Sequence, residues 1–221
     1  MLESAQEIFD YLPLRMSEPE SRYIRHLWDT FEHLSSSENP DTRAFAVAPF
    51  HLLFMLALQY RALRLYRRRG EEYVICKTIV DLEPRRRKAQ APTSVFDLAL
   101  ISESPLADVF PIIGVSTGDV VAIKKLVRER NDGFAHAKGA IEEDIERRVE
   151  EYLTVLRNIG PSFEVMNTEV ATEWLTELTP EDDRDTYVEI RVASEYLCPI
   201  DFSVGPLHDE FAAMFGLESS T

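Results

Sequence analysis

Glycine is scarce in this chain, with eight in 221 residues. Turn-rich β architecture draws on residues that accept left-handed torsion angles, so the shortage favours helices. Cysteine is scarcer still. Cys76 and Cys198 stand far apart and outside any metal-ligand spacing, which implies neither a zinc centre nor a disulfide framework. A reducing cytoplasm is the simplest setting for such a chain. The opening Met1-Leu2-Glu3-Ser4 is acidic, and no cationic stretch leads into an apolar run, so no export signal is expected. Also missing are an internal repeat, a glycine-rich phosphate loop, an H-E-x-x-H motif and a Ser-His-Asp arrangement. No cofactor and no metal are therefore expected.

Positive charge is also in short supply. The 24 Lys and Arg face 39 Asp and Glu, a net charge of -15. That is unfavourable for a protein that must neutralise phosphates. The distribution is uneven, however. Residues 161–221 hold 14 acidic and 2 basic side chains, whereas from Arg61 to Arg130 the count is 14 basic against 9 acidic. The acidic region reads either as a solvated face or as an appendage that lies near the basic stretch and restrains access to it.

The longest apolar run, Ala44 to Leu58, is interrupted by Pro49 and His51 and falls short of the roughly 20 apolar residues needed to cross a bilayer. It is expected to be a central buried helix in a protein with no membrane segment, and His51 a hydrogen-bonded core residue. Beyond Gln59 the same helix turns basic through Arg61, Arg64, Arg67, Arg68 and Arg69. This is readable as ordinary capping of a negative helix end and a solvated face, or as an RNA-backbone contact. Arg85-Arg86-Arg87-Lys88, between Pro84 and Pro92, forms a second cluster.

Elsewhere the periodicity is helical. A first short helix is expected over residues 2 to 12, and a second from Ser17 to about Leu34 buries Tyr23, Ile24, Leu27, Trp28, Phe31 and Leu34. Tyr73 to Leu82 is rich in β-branched residues and fits a strand or a helix; the lack of a partner strand favours helix. Gly160-Pro161 marks a boundary between a helical domain, 1–160, and an acidic helical extension, 161–221, packed on it. The extension is expected to carry helices over Phe163 to Leu178, from Thr179-Pro180-Glu181-Asp182 onward, and over Pro206 to Leu217.

The chemically suggestive stretch is Arg130-Asn131-Asp132-Gly133-Phe134-Ala135-His136. Before it Val120, Val121, Ile123, Leu126 and Val127 recur on one helix face; after it Ile141, Ile145, Val149, Tyr152 or Leu153, Leu156 and Ile159 do the same. Gly139 is expected to open this second helix, with Glu142, Glu143 and Asp144 in its first turn. Six helical steps of 100° would set Arg130 and His136 about 240° apart, so a break is needed to bring them together, and Gly133 is expected to supply it. A guanidinium can then clamp a phosphate with two parallel hydrogen bonds while an imidazole, titrating near neutrality, moves the protons of a ribose 2′-hydroxyl and a departing 5′-oxygen.

Arg130-Asn131 followed by His136, at the junction of two helices, resembles the R-x4-6-H signature of the HEPN superfamily. The resemblance implies an all-α, four-helix-bundle-like fold and a homodimer in which two motifs meet in one composite endoribonuclease site. It also implies metal-independent cleavage of RNA to a 2′,3′-cyclic phosphate and a 5′-hydroxyl, with an antitoxin or regulatory partner in a toxin or antiviral-defence setting. Arg130 would clamp the phosphate, His136 would act as general base or acid, and Asn131 would orient the histidine or the phosphate. Lys138 stands where one subgroup of the family has a tyrosine that its antitoxin modifies. The alternative is a non-catalytic helical interaction or sensor protein with Arg130 and His136 as helix caps.

Overall fold

The computed structural model describes residues 3–80, 91–99, 102–135, 144–177 and 184–202, and every regular element among them is helical. A 3₁₀ segment, Glu3–Tyr11, leads to α1 (Glu18–Ser35), α2 (Pro40–Ala44), α3 (Val47–Arg68) and α4 (Gly70–Val80). Then come α5 (Val95–Leu98), α6 (Glu103–Leu106), a 3₁₀ segment Ala107–Ile113, and α7 (Thr117–Ala135). After α8 (Ile145–Ile159) the chain passes through a 3₁₀ turn, Gly160–Phe163, into α9 (Glu164–Glu177). The last described elements are α10 (Arg184–Glu195) and a 3₁₀ turn, Pro199–Phe202. The all-α class expected from the sequence holds. The Arg85–Lys88 cluster and the helix expected over Pro206 to Leu217 lie outside the described residues, as do residues 179–182, the expected start of the helix described as α10.

Helix α3 is apolar on every side because it is covered on every side. Its residues from Phe50 to Leu65 are buried with the single exception of Leu52. By length and composition the stretch Pro40–Arg68 could cross a membrane, but 83% of its most apolar window is buried in protein. Pro49 falls in the first turn, where a missing N–H costs no intrahelical bond, and so does not interrupt the helix. Around α3 pack α1, α5, α6, α8 and the first 3₁₀ segment.

The flanking helices follow their sequence signals closely. Ser17 and Glu20 form a capping box at the start of α1: the Ser17 backbone N–H and hydroxyl both donate to the Glu20 carboxylate, at 2.9 and 2.8 Å. Glu20 is buried as a result, while Tyr23, expected inside, is 36% exposed and meets Phe96 edge to face. In α8 the buried set Ile145, Val149, Tyr152, Leu153, Leu156 and Ile159 is the expected stripe. Its N-cap is Asp144, whose side chain accepts from the Arg147 N–H, so the described helix begins at Ile145 rather than at Gly139. In α7 Val120, Ile123, Leu126 and Val127 are buried and Val121 is exposed.

A second, smaller apolar cluster gathers Val170, Ala171, Trp174, Val188, Val192, Leu197 and Phe202 from α9, α10 and the last 3₁₀ turn. Gly160, at the point where α8 gives way to this region, keeps right-handed torsion angles (φ -48, ψ -52), so the chain winds onward instead of being capped. What fastens the acidic region to the bundle is the basic end of α3. Arg64 donates to Asp201 at 2.7 Å and to Asn167 at 2.6 Å, and Asn167 donates in turn to Asp201 at 3.1 Å, all three side chains being buried. Arg68 grips Glu195 through Nε and Nη2, at 3.0 and 2.7 Å, and Glu173 through Nη1, at 2.6 Å. Arg69 pairs with Glu169 at 2.7 Å, and Arg67 lies over the Tyr196 ring and donates to the Ser194 carbonyl.

Most of these arginines are not a solvated face: Arg61 and Arg64 are buried, Arg64, Arg68 and Arg69 are paired with acidic residues of the C-terminal region, and Arg67 stays exposed in the last turn of α3. Sequence shows two blocks of opposite charge; the fold brings them together, which sequence separation alone conceals.

Candidate functional site

Arg130 belongs to the buried face of α7 for a simple geometric reason. Seven residues separate it from Ile123, and seven steps of 100° return to within 20° of the same direction. Its side chain therefore leans into the bundle, where the carboxylate of Glu103, at the start of α6, receives Nη2 on both oxygens. Both side chains remain about a quarter exposed, at 25% and 24%. One step further round the helix, Asn131 is exposed.

The break expected at Gly133 is absent. Helix α7 continues through Gly133 to Ala135, so the chain's first departure from that helix falls later than proposed from sequence. His136 follows directly and lies outside the described residues, as do Gly139, Glu142 and Glu143. Of the three sequence-selected residues, then, the fold positions Arg130 and Asn131 about 100° apart on one helix.

Behind Arg130 runs a polar chain that motif reading overlooked. Glu103 Oε2 lies 3.1 Å from His51 Nε2, and His51 Nδ1 lies 2.9 Å from the Tyr152 hydroxyl. Both His51 and Tyr152 are buried, packed with Phe50 and Phe54. Burial pushes the His51 imidazole below its ordinary value, and the Arg130 charge pushes the same way against the opposing pull of Glu103. The ring is thus neutral near pH 7, which fixes its tautomer: Nε2–H donates to the carboxylate and Nδ1 accepts from the Tyr152 O–H. Burial alone would raise the Glu103 carboxyl, but the hydrogen bond from His51 and the Arg130 guanidinium outweigh it and hold it below the usual carboxylate range.

The result is a directed line of hydrogen bonds, Tyr152 to His51 to Glu103, ending on a cation at the edge of the bundle. It orients Arg130 without consuming it, since both contacts to Glu103 use Nη2. A signal for this line was present in the sequence. A histidine inside an apolar helix needs two partners, and Glu103 is one of two carboxylates, with Asp108, in the mostly apolar stretch that runs to Ile113.

Among the described residues no three His, Cys, Asp or Glu side chains stand where they could share a metal ion. Compared with models of known families, with characterised proteins and with solved structures, the chain matches none.

Proposed function

We propose that this protein is a metal-independent endoribonuclease of the HEPN kind, acting as a homodimer with a composite site. Support comes from one observation above all: Arg130 stands at a solvent-reaching edge of the bundle, held by a partly buried carboxylate that is backed by a buried histidine and tyrosine, more than a bare surface ion pair requires. In the proposed reaction His136 takes the proton of a ribose 2′-hydroxyl. The 2′-oxygen bonds to phosphorus, the bond to the 5′-oxygen breaks, and that oxygen takes a proton from the imidazolium to leave as a 5′-hydroxyl. Arg130 stabilises the charge gathering on the phosphate oxygens, and Asn131 orients the phosphate or the histidine. A toxin or defence role, under an antitoxin or other regulatory partner, accompanies this reading.

A second reading, a non-catalytic helical interaction or sensor protein, draws on the unbroken course of α7 through Gly133 and on the pairing of Arg130 with Glu103. The two diverge in one experiment. Purified full-length protein is incubated with labelled RNA in EDTA, beside His136→Ala and Glu103→Gln. The enzyme reading expects cleavage to survive EDTA, to fall by about 10²- to 10⁴-fold in His136→Ala as for loss of a general acid or base, and to weaken in Glu103→Gln. Absence of cleavage by the wild type, together with absence of toxicity on expression, refutes the nuclease and leaves the interaction protein.

A further inference from the structure

Arg61 is one turn before Arg64 on α3 and is 2% exposed, yet no carboxylate among the described residues pairs with it. Its Nη1 donates to the backbone carbonyls of Tyr11, at 3.0 Å, and Ala57, at 3.3 Å. Its Nε is buried with no hydrogen-bond partner. The guanidinium is wedged between two rings, 5.2 Å from the centroid of Tyr11 and 5.4 Å from that of Phe163. A buried charge left without a counter-ion is costly, and a buried donor without an acceptor adds to that cost.

The same guanidinium lines a cavity of about 260 Å³ between the bundle and the acidic C-terminal region, walled also by Tyr11, Phe163, Gly160, Asn167 and Ile200. Its lining is mostly apolar. The one other cation there, Arg157, is already taken by Glu7 and Glu150. Two carboxylates, Glu164 and Asp201, also border the space, and Asp201 is held by Arg64.

We propose that this cavity binds a small monocarboxylate with an apolar, aromatic-sized body, whose carboxylate faces the Arg61 guanidinium. Among the described residues that guanidinium has no counter-ion and only its Nη1 has hydrogen-bond partners, and a planar guanidinium suits a planar carboxylate. Cavity size sets the body. A cavity of about 150 Å³ holds benzene, so this one takes roughly ten non-hydrogen atoms, a ring with a short acid arm. Local charge sets the head: Glu164 and Asp201 border the space, so a singly charged group is repelled less than a dianionic phosphate. Because the walls come from α3, α8, α9 and the first and last 3₁₀ segments, the ligand would clamp the acidic region onto the bundle.

The test uses the full-length protein and 3-phenylpropionate, followed by calorimetry and thermal shift, with 3-phenylpropanamide, phenyl phosphate and inorganic phosphate as comparators. The acid is expected to bind and raise the melting temperature, and the neutral amide to bind about tenfold to a hundredfold more weakly, the loss typical of a hydrogen bond to a charged group. Arg61→Met, which removes the charge, should abolish the preference for the acid over the amide. Should that variant fail to fold, Gly160→Leu takes its place: a Cβ added at Gly160 meets nothing within 4 Å, so the larger side chain enters open space and blocks the cavity without disturbing the fold. Equal binding of acid and amide, tighter binding of phenyl phosphate or inorganic phosphate, unchanged binding in Gly160→Leu, or no binding of the acid at all overturns the proposal.

Discussion

Asp201 offers the sharpest test of how the acidic C-terminal region is held. Its carboxylate, 2% exposed, takes Arg64 Nη1 at 2.7 Å, Asn167 Nδ2 at 3.1 Å and the Cys198 backbone N–H at 2.6 Å. Replacing Asp201 by Ala leaves Arg64, 1% exposed, with Asn167 as its one remaining polar partner. Breaking one side of a buried pair strands the other charge, which costs about 3 to 5 kcal/mol. Against a usual total of about 5 to 15 kcal/mol this is a large fraction. Removing the whole polar cluster is a different matter, because isosteric apolar replacement of a buried pair is often neutral. The triple variant Arg64→Met, Asn167→Leu, Asp201→Leu should therefore recover most of the loss, keeping a deficit of about 1 kcal/mol for the Cys198 N–H left without an acceptor. Urea unfolding measured on the wild type, Asp201→Ala and the triple variant supplies all three values. A single variant within about 1 kcal/mol of wild type, where exposed ion pairs fall, would show that this contact does not fasten the two parts, and a triple variant worse than the single would refute the account of stranded charge.

Two further outcomes follow from the same structure. Because the folded state holds His51 below its ordinary value, the unfolded chain takes up a proton near pH 6.5 that the folded chain resists; stability is present above that pH and declines on acidification by up to about 1.4 kcal/mol per pH unit. Melting temperature against pH should show this slope in the wild type and lose it in His51→Gln, while a parallel fall in both would assign the slope to other groups. Glycine substitutions should split by sign: neither Gly114 nor Gly160 would place a Cβ within 4 Å of a neighbour, but Gly114 sits at φ +84 and Gly160 at φ -48. Gly114→Ala should cost about 1 to 2 kcal/mol from torsion alone, and Gly160→Ala should gain about 0.5 to 1 kcal/mol, both read by thermal denaturation.

Local rules succeeded where one element decides its own fate. The α8 stripe, the start of α1 at Ser17 and the burial of most of α3 are written in spacing and composition, since each depends on residues within a turn or two of one another. Local rules also misled at Gly133, where a residue able to end a helix sits inside one, because tolerance of a break does not compel it.

Sequence by itself determined the helical class, the buried central helix and the face on which Arg130 must lie, because periodicity and hydrophobicity are properties of neighbours along the chain. Only the tertiary structure decided what Arg130 and His51 meet, that Arg61 and Arg64 are turned inward, and that Arg64, Arg68 and Arg69 are claimed by Asp201, Glu173, Glu195 and Glu169. Those partners lie between 27 and 137 residues away along the chain, and charge attraction carries no record of sequence distance until the fold has brought its ends together.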